Sequence, residues 1–540
     1  MELDHSGKLS ASPASPAGKP FQFNTWIAWS VMLLVGSFLI FFHISHDSLW
    51  GDEAYTYSRI NPDLLQIPEV IGKTDTHPPL YYVACKVFAE LFGYARGTLR
   101  SFAGLGLLAT TILLGAGPIS RLFNQRVGLI FAFLMLFSSM NLFHAQEIRM
   151  YSWATFLMTA CATTGFLYVR DGKKSDLIFF GLSSLGGLYI HYYVTLGVFF
   201  VHLFLLCWII LRKRHLLWPF LAESLVAASL FAPWLFFLVK QVAGVSSGFW
   251  IGKPSLYALY NIFRLPFGVP GGFFPNSNYL LAGSLVYLGS GLVAAYRNRQ
   301  KPIFASLALP VFSAVLIFAL VYSFLVRPIL AERYMLPLWG LLFLVIAAEI
   351  DHFLKSTKRI ARGYSHLFLV CYAALALPAM QILYFVEFKS PMNDIVHFGK
   401  THFHEKQAFL HFDDTTLYLF AIEFPDYSQF LYKSPSTITD YTAHYQESYG
   451  KAQFQVITDL RQISENFAQI WLVSPDSDNV KLFQQLAFSA TPNRRPALYS
   501  PQLLTSRIEV EKAATRGIIR FTTPLQNAST DMALVNLPTR

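Results

Sequence analysis

Long apolar runs alternate with short polar breaks along most of this chain. Apolar residues fill 26–42, 105–119, 198–211 and 306–326, stretches near the roughly 20 residues that an α-helix needs to cross a bilayer core. The pattern predicts about eleven spans, centred near Leu34, Leu108, Phe133, Leu157, Leu182, Phe204, Ala227, Val286, Val315, Phe343 and Leu375. The runs around Phe133 and Leu182 are short. No small-residue cleavage site follows the first run, so a retained helix is expected there, after a stretch over 1–24 rich in Ser, Ala, Pro and Lys.

The polar breaks are of two kinds. Every second one is basic: Arg121 and Arg126; Arg170, Lys173 and Lys174; Arg212, Lys213 and Arg214; Arg297, Arg299 and Lys301; Lys355, Lys358, Arg359 and Arg362. Cytoplasmic loops carry such an excess of Lys and Arg, which assigns these loops to the cytoplasm together with the N-terminal stretch bearing Lys8 and Lys19. The alternate breaks, 43–98, 141–150, around His191, 240–278 and 327–334, then face outward. The expected organisation is a cytoplasmic tail (1–24), a transmembrane domain (25–388) with a long first outer loop (43–98), and an extracytoplasmic domain (389–540). That last segment mixes strand-like runs (468–473, 517–522) with a helical patch (480–486), as a small α/β domain would. Asn527-Ala528-Ser529 matches a glycosylation sequon, a pattern frequent by chance.

Composition agrees with this picture and excludes others. The chain is 54% hydrophobic and 14% charged, where soluble domains carry about a quarter charged residues. Its net charge of +10 is gathered in the basic loops, and no basic face with interleaved aromatics suggests nucleic acid as a partner. The four cysteines, Cys85, Cys161, Cys207 and Cys371, stand isolated in or beside apolar sequence, with no metal-ligand spacing.

Candidate chemistry collects in the outward breaks. The first outer loop opens with Leu49-Trp50-Gly51-Asp52-Glu53-Ala54-Tyr55, two adjacent carboxylates beside aromatic rings able to stack on a sugar. The loop is longer than a connector requires, which favours function. It continues through Asp75-Thr76-His77-Pro78-Pro79-Leu80-Tyr81-Tyr82 into a predicted amphipathic helix with Leu80, Val83, Ala84, Val87, Phe88 and Leu91 on one face and Lys86 and Glu90 pointing away, as for a helix lying in the interface. Between two closely spaced spans stands His144-Ala145-Gln146-Glu147-Ile148-Arg149-Met150-Tyr151; charges at such depth face a protein cavity or pair with one another. Arg327 and Arg333, in Arg327-Pro328-Ile329-Leu330-Ala331-Glu332-Arg333-Tyr334, run against the positive-inside trend, and guanidinium forks suit phosphate oxygens.

Four of these motifs, Gly51-Asp52-Glu53-Ala54, Thr76-His77-Pro78-Pro79-Leu80-Tyr81-Tyr82, Gln146-Glu147-Ile148-Arg149-Met150-Tyr151 and Glu332-Arg333-Tyr334, together resemble the GT-C glycosyltransferases of the dolichyl-phosphate-mannose protein mannosyltransferase clan, which includes the bacterial aminoarabinose transferases of lipid A. The resemblance runs from about position 26 to position 350. It implies an α-helical polytopic membrane enzyme, an inverting transferase using a polyprenyl-phosphate sugar donor and a lipid, glycan or protein acceptor at the inner or plasma membrane of a cell envelope. Asp52 matches the catalytic acid of the first-loop motif. Aminoarabinose transferases tend to carry Glu-Lys-Pro-Pro where this chain has Thr76-His77-Pro78-Pro79, which leaves sugar and acceptor open.

On that reading Asp52, or secondarily Glu53, accepts the proton of an attacking hydroxyl. His77, Tyr82, Glu147, Arg149, Arg327, Arg333 and Tyr334 bind substrate, the arginines stabilising the phosphate as its charge grows. Cationic side chains suffice for this; a divalent Mg²⁺ or Mn²⁺ held by Asp52 or Glu147 is an alternative compatible with their carboxylates. The competing reading is a multi-span transporter or flippase of lipid-linked precursors, against which stands the absence of an internal repeat.

Overall fold

The computed structural model describes residues 22–245, 251–268, 276–298, 303–405, 407–433, 454–457, 463, 467, 469–475, 508–510, 519–522 and 529–536. Helix α1 (Gln22–Phe41) leads into a first connection that is itself helical: α2 (Gly51–Arg59), α3 (Ile67–Thr74) and α4 (Leu80–Phe92). The bundle continues with α5 (Arg96–Leu108), extended by a π-helical stretch (Ala109–Ile119) and a last turn, α6 (Ser120–Leu122). Then follow α7 (Gln125–Leu136), α8 (Ser139–Ala145), α9 (Tyr151–Asp171), α10 (Lys174–Ile190), α11 (Tyr192–Arg212), α12 (Leu217–Val245) and α13 (Leu256–Arg264). The last bundle helices are α14 (Asn276–Arg297), α15 (Ala305–Leu325), α16 (Leu336–Leu354) and α17 (Arg359–Phe385).

Each expected span centre falls inside one of these helices. Among the described residues, however, seven helices have both the length and the hydropathy of a span, eight if α7 and α8, bent by 72°, count as one. Helix α9 misses that measure because it is a hub. Its Thr155, Thr163 and Thr164 hydroxyls bond back to carbonyls one turn earlier, and nearly the whole helix is buried by its neighbours, which shields polar side chains from lipid. Helix α5 approaches it so closely that a Cβ on Gly106 would lie 2.8 Å from the Trp153 nitrogen. Only glycine fits there.

The multi-pass bundle has two chemically different ends. At one, Arg170 donates to the carbonyls of Leu122 and Arg121, Lys213 donates to the carbonyl of Arg170, and Arg126 and Lys355 both reach Asp351. Four of the five basic clusters thus meet on one face. Arg299 and Lys301, like Lys8 and Lys19, lie outside the described residues.

The predicted interfacial helix is α4, with its faces arranged for lipid. Lys86 does not point away as expected: it is buried with Tyr81, Tyr82, Cys85 and Ala89, its ammonium over the Tyr94 ring and 3.4 Å from Glu90, while Val87, Leu91 and Phe92 are exposed. In water that would waste apolar surface; against lipid it is the favourable arrangement.

Beyond α17 come α18 (Met392–His402), β1 (Gln407–His411), α19 (Asp414–Glu423), β2 (Ser428–Tyr432), β3 (Phe454–Ile457), β4 (Gln469–Ser474), β5 (Ile508–Val510), β6 (Ile519–Thr522) and β7 (Ser529–Asn536). They form one sheet of order β3-β2-β1-β4-β7-β6-β5. Strands β3, β2, β1 and β4 are parallel; β7, β6 and β5 add antiparallel pairings. The two expected strands are β4 and β6. The expected helical patch 480–486, and Asn527 and Ala528 of the sequon, lie outside the described residues.

This α/β unit is seated on the long connection between α1 and α5. Asp47 accepts from the backbone nitrogens of Phe388 and Lys389, and Ser48 donates to the carbonyl of Ser390 at 2.5 Å. Helix α19 lies on α2 so closely that a Cβ on Gly51 would come 2.6 Å from Thr415 Cγ2.

Candidate active site

Helix α2 starts at Gly51 after an extended, uncapped Trp50, placing Asp52 and Glu53 in its first turn, where the helix dipole favours carboxylates. Neighbours on a helix point about 100° apart, and these two acids meet different surroundings.

Glu53 is turned inward, with no exposed side-chain surface. Arg100 on α5 grips it from two nitrogens, Nε to Oε1 at 2.7 Å and Nη2 to Oε2 at 2.6 Å. Ile148 N donates to Oε1 at 3.1 Å and Lys389 Nζ stands 3.5 Å from Oε2. Burial pushes the Glu53 carboxyl up, but Arg100 and then Lys389 outweigh it and hold it below its ordinary value. Arg100 also donates to the carbonyls of Ile44, Asp47 and Ser48. Both oxygens of Glu53, the secondary catalytic candidate, are engaged and enclosed, whereas Asp52 is the more open of the two acids.

Asp52 keeps 29% of its side chain exposed. Arg333, in the turn Glu332–Met335 before α16, places Nη1 2.7 Å from Asp52 Oδ2. Burial raises this carboxyl, yet Arg333, Arg149 and His77 together hold it below its ordinary value. It is an ionised acid with an open side.

The remaining predicted residues surround this pair. Arg149 is buried between α8 and α9 and donates to Thr56 Oγ1 at 3.1 Å and, at 3.4 Å, to the hydroxyl of Tyr82. Glu147, also buried, does not pair with Arg149: its Oε2 meets His144 Nδ1. His77 Nδ1 lies 3.0 Å from Asp75 Oδ1. Burial pushes the Asp75 carboxyl up, but His77 beside it brings it down to about 2. The His77 ring packs near those of His191 and Tyr334, at 5.2 and 5.9 Å.

Arg327, His77 and Tyr334 reach the same space from different elements. With His191 they line the polar end of a cavity of about 340 Å³, whose other walls include Leu196, Leu238, Val242, Phe318 and Ile329 from α11, α12, α15 and the segment after it. A polar mouth over apolar walls is what a lipid with an anionic head requires.

Sequence reasoning missed Arg100, Lys389 and His191 as structural members of this site. Arg100 and Lys389 had a signal, since each is a cation near a helix end at a break other than the five basic ones. Asp52 meets Arg333 and Glu147 meets His144, and among the described residues no three His, Cys, Asp or Glu side chains converge.

The chain folds like solved structures of ArnT. The apo structure of ArnT from Cupriavidus metallidurans superposes with a TM-score of 0.57 at 12% identity, covering 89% of this chain and 96% of that one. The undecaprenyl-phosphate-bound form of ArnT gives 0.56 at 11% identity, over 95% and 98%. The arabinofuranosyltransferase AftD from Mycobacteria, matched over 97% of this chain and 40% of its own, gives 0.48 at 14% identity. No protein-family model matches the sequence, and no curated protein matches it significantly. The chain therefore shares the fold of ArnT, and the likeness is one of architecture.

Proposed function

We propose that the protein is an inverting glycosyltransferase that moves a sugar from a polyprenyl-phosphate donor to an acceptor hydroxyl or phosphate on the non-cytoplasmic side of the membrane, with Asp52 at the reacting centre. The observation that carries this reading is the half-open Asp52–Arg333 pair next to a cavity with apolar walls and a polar end bearing Arg327, His77 and Tyr334. An ArnT structure of similar fold holds undecaprenyl phosphate, which supports a lipid of that class as the donor's carrier.

The chemistry is a single displacement. A hydroxyl acceptor gives its proton to Asp52 as its oxygen bonds to the anomeric carbon from the side opposite the phosphate. The bond from that carbon to the phosphate oxygen breaks and its electron pair leaves with the polyprenyl phosphate, whose growing charge Arg333, Arg149 and Arg327 stabilise. A phosphate acceptor is already ionised, and Asp52 then orients it by contact rather than by taking a proton. No step is routed through a metal.

The test follows free polyprenyl phosphate. Purified protein given lipid-linked sugars from its native membranes should release undecaprenyl phosphate, and Asp52→Asn should not. Transfer of intact donor across vesicles without release would instead favour the transporter reading.

A further inference from the structure

The face of the bundle opposite the candidate site holds a second cavity, of about 600 Å³, between α14, α16 and the start of α17. Its walls are the apolar side chains Val286, Phe353, Ile360 and Tyr364, and its rim carries Lys358 and Arg359. From these we infer a binding site for an anionic diacyl phospholipid of the leaflet on the basic-loop side.

The cleft arises from unequal helices. Tyr364, early in α17, donates to the carbonyl of Gly283 near the start of α14, yet α14 runs on to Arg297. At 1.5 Å per residue, about 15 Å of α14 extends past Tyr287, the neighbour of Tyr364, while α17 begins about 7.5 Å below Tyr364. The overhanging part of α14 exposes Leu292, Val293 and Tyr296, and α17 exposes Ile360, Leu367 and Val370. Acyl chains can run from a headgroup at Lys358 and Arg359 along the row on α17, with the overhanging α14 residues flanking the headgroup.

Charge complementarity selects an anion. Among the described residues neither Lys358 nor Arg359 has a carboxylate partner. The acids of α16 at this end are already engaged, Asp351 by Lys355 and Arg126, Glu349 by the Ser290 hydroxyl. The first turn of α17 contains no acid. Basic pockets between helices on this side of a membrane hold anionic headgroups, each cation contributing about 1 kcal/mol, so two of them give a preference of roughly tenfold or more over a zwitterionic lipid. The site stands apart from the outer one and does not depend on the function proposed for that one.

Native mass spectrometry of the full chain in detergent, titrated separately with phosphatidylglycerol, phosphatidylcholine and undecaprenyl phosphate, tests this. Phosphatidylglycerol should be retained at least about tenfold better than phosphatidylcholine, and the double variant K358A/R359A should lose that preference. Ile360→Trp, which fills the cleft and leaves both cations, should also lower phosphatidylglycerol retention, with the unfolding temperature of each variant unchanged. Equal retention of the two phospholipids by the unaltered protein, or retention of phosphatidylglycerol that survives both variants, overturns the inference. So does a variant-sensitive undecaprenyl phosphate that outcompetes phosphatidylglycerol.

Discussion

Arg333 Nη1 lies 2.7 Å from Asp52 Oδ2, joining the turn before α16 to the first turn of α2. Both side chains keep about a quarter of their surface open, so the pair contributes little to stability by itself. Its consequence is chemical. The arginine holds the Asp52 carboxylate ionised and fixes its direction, while part of the Asp52 side chain stays open.

Asp52→Asn removes the proton acceptor without changing the size of the side chain. General-base contributions run from about 10² to 10⁴ in rate, so release of polyprenyl phosphate should drop by at least about a hundredfold, with the unfolding temperature in detergent within a degree or two of the original. Wild-type rates in that protein would remove Asp52 from the mechanism.

The pH profile should report the same pair. With its carboxyl held below the ordinary 3.8, Asp52 stays ionised as pH falls, and the acid limb of kcat/KM lies below that of a free carboxylate. In Arg333→Ala the largest opposing charge is gone while burial still raises the carboxyl, so the limb should move toward neutral pH. An acid limb at the same pH in both proteins would mean that another group controls it.

Glu53 should behave oppositely to its neighbour. Breaking a buried pair by removing one partner costs about 3–5 kcal/mol, so Glu53→Ala should unfold at a clearly lower temperature, and Arg100→Ala likewise. Replacing both, as in Glu53→Leu with Arg100→Met, should recover part of the loss, because the Glu53–Arg100 pair then leaves no half behind, and only part, because buried Lys389 loses the carboxylate 3.5 Å from its Nζ. Thermal unfolding in detergent distinguishes these outcomes. A normal unfolding temperature in Glu53→Ala with abolished transfer would favour a catalytic role for this residue.

What was legible in the sequence follows from the solvent. A bilayer demands long apolar helices, and each centre read from hydropathy lies in a helix, although among the described residues seven, or eight with α7 and α8 as one, have the length and hydropathy of a span; where α9 fell short by composition, its threonines were answered inside the bundle. The side on which Asp52, His77, Arg149 and Arg333 would meet was legible from the basic loops on the other face. The division of labour between Asp52 and Glu53 was not, since it depends on Arg100 and Lys389 arriving from distant segments. Neither was most of the sheet. Strand β1 is buried at every position, so it has no alternation to read, and β5 has three residues.

The cavity beside the candidate site gives a final prediction, about which part of the donor it recognises. Leu238 on α12 lines its apolar wall, along with Leu196, Val242 and Phe318, away from the polar groups His77, His191 and Arg327. Leu238→Trp adds bulk to a space of about 340 Å³ without touching Asp52 or Arg333. If the cavity holds the first isoprene units, the variant should raise the KM for a long-chain donor severalfold, each displaced methylene being worth about 0.8 kcal/mol. The kcat should hold, because contacts made equally in ground and transition states change binding alone. A synthetic donor with a chain too short to enter the cavity should be used equally by both proteins. The measurement is steady-state kinetics with the two donors, and an unchanged KM for the long chain would place the lipid elsewhere on the bundle.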